Sequence, residues 1–179
     1  AGCLAERYKN EIMDELPEID AIVGTTAFDK IVDVIDGVLA GQKENALDDI
    51  NRLCRPETDR IISTGGYYSY LKIAEGCDNK CAYCAIPLIR GKFKSRDFDS
   101  LIEETKYLVS TGAKEITLIA QDTTRYGTDF KDKDNRRLEH LLRAVSEVEG
   151  VEWVRVLYLY PDEITKEILL EIKENKKVA

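Results

Sequence analysis

From residue 67 onward, apolar stretches of strand length alternate with apolar stripes of helical period, and this alternation constrains the fold more than any other feature of the chain. Tyr67 to Ala74 reads as a strand. Phe98, Leu101, Ile102, Leu108 and Val109 recur at helical spacing and stop at Gly112, and Glu115 to Ala120 is an apolar strand. Leu138, Leu141, Leu142, Val145 and Val148 stripe a helix that ends at Gly150. Val151 to Tyr160 reads as a third strand, stopped by Pro161, and Asp162 is placed to cap a last helix carrying Ile164, Ile168, Leu169 and Ile172. Strands and helices of these lengths build βαβ units with right-handed crossovers and a parallel sheet. The predicted class is α/β, and three such units give a partial (βα) barrel or an open doubly wound sheet. Both place functional residues at the carboxyl ends of the strands.

Ahead of this region, residues 5–16 read as a helix, 19–24 as a short strand, and 28–40 as a helix with Ile31, Val34, Ile35 and Val38 on one face. Residues 1–41 are therefore expected to be the tail of a separate α/β domain. The polar, weakly periodic stretch 42–66, with Pro56, reads as a linker, the alternative being a surface excursion within one domain. Residues 67–179 form the main domain. The chain opens without an initiator methionine and stops just after a helical pattern, so both ends are expected to continue in a longer protein.

No apolar run approaches the roughly 20 residues that span a bilayer, and charges interrupt residues 1–16 where a signal peptide needs an apolar stretch. The expected location is the cytoplasm, with no membrane association. Five cysteines, an odd number unevenly spaced, argue against a secreted disulfide framework and for reduced thiols with a task. A formal net charge of −8 makes the chain as a whole a poor electrostatic trap for nucleic acid and favours a protein or small-molecule partner, or RNA binding supplied elsewhere.

Cys77, Cys81 and Cys84 place three thiols within eight residues, directly after the first strand of the regular region. Thiolates hold iron-sulfur clusters, and a loop that gives only three to a four-iron cube leaves one iron open to an outside ligand. The competing reading is a zinc site completed by Cys54, Cys3 or His140. Zinc loops usually repeat a paired C-x-x-C, whereas this loop has a single triad with three-then-two spacing. His140, the only histidine, lies among Glu139 and Arg143 and reads as part of a solvated face.

The C-x-x-x-C-x-aromatic-C pattern of Cys77 to Cys84 resembles the signature of the radical S-adenosylmethionine (SAM) superfamily. The resemblance implies a partial parallel barrel from residue 67 onward, a 4Fe-4S cluster on Cys77, Cys81 and Cys84, and SAM chelated to the open iron. It also implies that Tyr83 packs on the adenine. Tyr70-Leu71-Lys72-Ile73-Ala74-Glu75-Gly76-Cys77, Ala85-Ile86-Pro87 and Arg90-Gly91-Lys92-Phe93-Lys94-Ser95-Arg96 are similar to the methylthiotransferases of that superfamily. Ile119-Ala120-Gln121-Asp122-Thr123-Thr124-Arg125-Tyr126-Gly127 and Tyr158-Leu159-Tyr160-Pro161 resemble the RimO-type branch. That branch implies methylthio transfer to the β-carbon of an aspartate in a small-subunit ribosomal protein, with an electron donor such as flavodoxin or ferredoxin. The rival readings are a tRNA adenosine methylthiotransferase and a non-catalytic zinc or iron-sulfur module. Gly2-Cys3-Leu4-Ala5-Glu6-Arg7-Tyr8 is similar to the segment of the amino-terminal domain that carries the last ligand of a second cluster, which would make Cys3 a metal ligand.

Gln121 and Asp122 close the second strand, where an acceptor suits the ammonium of a bound cofactor; strand-end solvation and capping are the alternative. Arg90, Lys92, Lys94 and Arg96 follow the cysteine loop and either meet an anionic ligand or form a solvated loop. Arg125 and Tyr126 stand in a loop open to ligand contact or to solvent. Cys54 has no partner at metal-ligand spacing and reads as an incidental thiol. Tyr158 and Tyr160 share one face of the third strand, opposite Arg155.

Overall fold

The structure, a computed structural model, describes residues 1–52, 61–63, 65–131 and 136–179. In chain order the elements are α1 (Cys3–Arg7), α2 (Lys9–Glu15), β1 (Ala21–Val23), α3 (Ile31–Leu39), β2 (Glu44–Ala46), β3 (Tyr68–Lys72), β4 (Ala74–Glu75), α4 (Ile86–Arg90), β5 (Lys94–Ser95), α5 (Phe98–Ser110), β6 (Glu115–Ile119), α6 (Leu138–Glu147), β7 (Trp153–Val156) and α7 (Lys166–Glu174). The chain divides into two compact units, one of Ala1–Arg55 with Gly76–Lys92 and one of Pro56–Glu75 with Phe93–Ala179.

The first unit is a small α/β layer. β1 and β2 pair in parallel, Ile22 against Asn45, over a core of Val23, Ala27, Val34 and Ala46. Two expectations change here. The predicted helix over 5–16 breaks at Tyr8 into α1 and α2, and the segment read as a linker from residue 42 begins with strand β2. The three residues of β2, Glu-Asn-Ala, bury only Ala46, so they carry too little alternation to read as a strand. On α3 only Val34 of the expected apolar face is buried; Ile31 and Ile35 are exposed.

The second unit is built on the parallel sheet β3-β6-β7. Tyr68 to Lys72 runs beside Glu115 to Ile119, and Glu115 to Leu118 beside Trp153 to Val156. Spatial order follows chain order without reversal, the arrangement of a barrel segment. Leu71, Ile116, Leu118, Val154 and Val156 form one face with Leu101 and Leu108 of α5, Leu138, Leu141, Leu142 and Val145 of α6, and Ile168 of α7. The helix positions among them belong to the helical stripes read from the sequence; Phe98, Ile102, Val109, Val148, Ile164 and Ile172 pack half-buried against this core, and Leu169 is exposed instead. On the opposite face Arg155 holds Glu115 at 2.9 and 3.1 Å, and its guanidinium keeps the Glu115 carboxyl below the usual carboxylate range.

Local signals set the helix ends. The Asp97 carboxylate accepts the Ser100 amide at 2.9 Å and starts α5. The last helix is capped by Thr165, whose hydroxyl accepts the Ile168 amide at 3.3 Å, and not by Asp162. Asp162 lies in a 3₁₀ turn, Pro161–Glu163, and extended Ile164 and Thr165 separate that turn from α7. The third strand is also shorter than the predicted 151–160. Tyr158 has a φ of 63°, a left-handed conformation that ends strand alternation, so Tyr158 and Tyr160 do not continue the face of the strand. Among the described residues no helix is long and apolar enough to cross a membrane.

Candidate functional site

The cysteine loop leaves the second unit after Glu75 and runs through Cys77, Cys81, Cys84 and α4 to Lys92. Its two ends run side by side, with the Cys77 amide donating to the Gly91 carbonyl at 3.2 Å. Gly76 has φ 74°, and a Cβ there would stand 2.2 Å from the Lys92 carbonyl oxygen. Gly91 has φ 72°, and its Cβ would stand 2.5 Å from the Ile50 oxygen. Only glycine fits either position, so the crossing that closes the loop is encoded by these two residues. Pro87 in the first turn of α4 presets the helical φ.

Cys77 is buried, Cys81 and Cys84 are half-buried, and Cys3 is exposed; none of the four forms a disulfide. The Asn79 amide donates to the Cys77 sulfur at 3.4 Å, and the Cys84 amide to the Cys81 carbonyl at 3.0 Å. Among the described residues, no three His, Cys, Asp or Glu side chains are gathered to hold a metal ion. The donor chemistry nonetheless fits a cluster, because one loop presents three undisulfided sulfurs, and an N–H already points at one of them as it would at a thiolate. Tyr83 is 93% exposed, its ring open to a ligand. Cys3 stands in the same unit, where the Arg90 guanidinium donates to its sulfur at 3.3 Å. Cys54 lies outside the described residues.

In the second unit, Gln121 and Asp122 follow the carboxyl end of β6. The Gln121 Oε1 is buried and accepts no hydrogen bond among the described residues, an acceptor waiting for a donor such as an ammonium. Asp122 is fully buried, and its Oδ1 accepts the Thr124 amide at 3.1 Å, so it shapes the turn after β6. Arg125 pairs with Glu163 at 3.1 Å.

Other residues take places not given to them from sequence. Tyr126 is fully buried, neither exposed nor open to a ligand. Its ring packs edge-on against Phe130, its hydroxyl donates to the Arg96 carbonyl at 3.0 Å, and burial pushes the phenol far above its ordinary value. Arg96, expected in a solvated or ligand-facing basic run, donates to Glu104 at 2.6 Å and to the Lys72 carbonyl at 2.7 Å. Lys94 and Ser95 form β5, which pairs antiparallel with β4. Sequence reasoning missed the threonines Thr123 and Thr124, both buried. The Thr123 hydroxyl donates to the Leu157 carbonyl at 2.7 Å, and the Thr124 hydroxyl accepts the Tyr160 amide at 2.6 Å. Hydroxyls four and five residues past a strand carry no periodic signal.

The first strand of the parallel sheet thus leads, through β4, into a loop of three cysteines. The profile of the radical SAM superfamily matches residues 71–179, and the chain belongs to that superfamily. The chain is 48% identical over 178 residues to a protein of Lachnoclostridium phytofermentans named ribosomal protein uS12 methylthiotransferase RimO. It is 49% identical over 177 residues to the protein of the same name in Caldanaerobacter subterraneus, and 46% identical over 178 residues to that of a Thermoanaerobacter species. Each alignment takes in 99% of this chain and 40% of the relative, so the chain spans about two fifths of the length of the relatives it matches. SAM and a 4Fe-4S cluster are the cofactors this family membership implies.

Proposed function

We propose that the chain is the radical-generating part of a methylthiotransferase that modifies the β-carbon of an aspartate in a small-subunit ribosomal protein. The observation that carries this reading is the glycine-closed loop bearing Cys77, Cys81 and Cys84, in a chain nearly half identical to proteins named for that reaction. Cys77, Cys81 and Cys84 would hold the four-iron cluster. When bound, the reduced cluster supplies the electron that splits the sulfonium C–S bond of SAM, giving methionine and a carbon radical that takes hydrogen from the substrate.

The chain's own residues bind and orient. Gln121 Oε1 accepts from the cofactor ammonium, Asp122 fixes the turn that carries Gln121, and the open ring of Tyr83 covers the adenine. Cys3, already receiving a guanidinium N–H, would serve a second cluster whose other ligands come from elsewhere in a longer protein. Flavodoxin or ferredoxin is the class of electron donor. The relatives' names favour the ribosomal-protein substrate over tRNA, and a methylthiotransferase over a zinc module.

Anaerobic reconstitution tests the chemistry: about four irons per chain and reductant-dependent release of methionine from SAM are expected. Mass spectrometry of ribosomal proteins and tRNA from cells lacking the full-length gene tests the substrate. Loss of the methylthio mass from a ribosomal protein supports the reading, and its loss from tRNA alone sinks it. Tyr83→Ala is expected to keep the iron and weaken SAM binding about tenfold, since it removes an aromatic face and no metal ligand. Unchanged affinity in a calorimetric titration would remove Tyr83 from the site.

A further inference from the structure

We propose that Tyr158 is a cofactor-contact residue whose ring flanks the molecule held by Gln121 at the neighbouring strand end. This rests on the SAM reading above and adds a residue to it.

Among the described residues Tyr158 is the one non-glycine residue at positive φ, 63°. An aromatic side chain is strained in that conformation, which glycine and asparagine enter readily. The turn after β6 holds the strain in place. The Tyr158 carbonyl accepts the Thr123 amide at 3.2 Å, while the carbonyl before it and the amide two residues after it are bonded to the hydroxyls of Thr123 and Thr124. Thr124 is fixed in turn by Asp122. A backbone so over-determined keeps its strain for the sake of where the side chain stands. Packing does not explain the side chain, because Tyr158 is 64% exposed.

Its position supplies the reason. β6 and β7 pair in parallel with Leu118 opposite Val156, so the two chains leave the same edge of the sheet side by side. Gln121 comes three residues after Leu118, and Tyr158 two residues after Val156. Neighbouring strands lie about 4.8 Å apart. One edge thus carries a buried acceptor that has no donor among the described residues, and a mostly exposed aromatic ring. A small molecule answering both offers an N–H donor together with a cationic or planar group. SAM carries both an ammonium and a sulfonium, and a tyrosine face attracts a cation.

The test is SAM titration of the anaerobically reconstituted chain carrying Tyr158→Gly or Tyr158→Phe, with iron content and melting temperature measured on the same samples. Tyr158→Gly is expected to keep the iron, to leave the melting temperature unchanged or raise it by about 2–4 °C, and to weaken SAM about tenfold. Tyr158→Phe keeps all three values. A side chain with a merely structural role would lower the melting temperature on truncation and leave affinity alone, and that result overturns the proposal. Unchanged affinity with raised stability overturns it equally. A wild-type chain that takes up iron and binds SAM while Tyr158→Gly binds as well refutes Tyr158 alone, whereas a wild-type chain that binds no SAM refutes both readings.

Discussion

Serine in place of Cys77, Cys81 or Cys84 is expected to bring iron in the reconstituted chain from about four per chain to background, with SAM cleavage lost in each variant. The effect is all-or-none, because three thiolates are the minimum donor set for a cube with one open iron, and a serine hydroxyl is a poor thiolate substitute at neutral pH. Cys3→Ser and Cys54→Ser should leave iron and cleavage unchanged in this chain. Iron and acid-labile sulfide, assayed alongside visible absorption, decide the matter. A Cys54 variant that lost iron as completely as the Cys77 variant would break the ligand assignment, and zinc in place of iron and sulfide would revive the metal-module reading.

The largest effect on stability is expected at Glu104. Its carboxylate accepts from the Arg96 guanidinium at 2.6 Å, and the two side chains are only 7% and 12% exposed. Removing one member of a buried pair leaves the other charge in the interior, at a cost of about 3–5 kcal/mol. Glu104→Ala should therefore lower the melting temperature by on the order of 10 °C. Glu104→Gln should cost a similar amount, because it keeps the shape and not the charge. The exposed pair Lys106–Glu103 on the same helix is the control, worth about 0–1 kcal/mol when broken. If Glu104→Ala melted like the Glu103→Ala control, Arg96 would return to the solvated basic run predicted from sequence. The double variant Arg96→Met with Glu104→Leu should recover most of the loss, since neither charge is then stranded.

These two cases show what the sequence made legible and what it hid. The period of Leu101 and Leu108, and of Leu138, Leu141, Leu142 and Val145, is a burial pattern, and every one of these positions is buried. The parallel sheet followed from the alternation of such helices with Glu115 to Ile119. The cysteine spacing was visible because it is covalent sequence, independent of packing. Tyr126 and Arg96 were hidden because burial of a polar or amphipathic side chain depends on a partner far away in the chain: Arg96 has Glu104 and the Lys72 carbonyl, and Tyr126 has the Arg96 carbonyl thirty residues back. The wrong cap, Asp162 for Thr165, arose because both residue types cap helices, Asp the better of the two. The choice was made by an extended backbone at Ile164 and Thr165 that no local pattern announces.

The glycine-closed loop also bears on how the chain comes into being. The Thr25 hydroxyl donates to the Ile89 carbonyl at 2.7 Å across 64 residues, and the Lys92 amide to the Asn51 side chain across 41. At a synthesis rate of about 5–20 residues per second, Thr25 is synthesised roughly 3–13 s before its partner exists. During that interval the first fifty-odd residues have their own short strands and small core, but not the segment that completes their unit. The cysteines thus emerge into a nascent chain whose earlier half is still waiting for them. Loop closure and completion of the first unit then become a single late event, and cutting the chain anywhere between the two halves of that unit would separate partners that depend on one another.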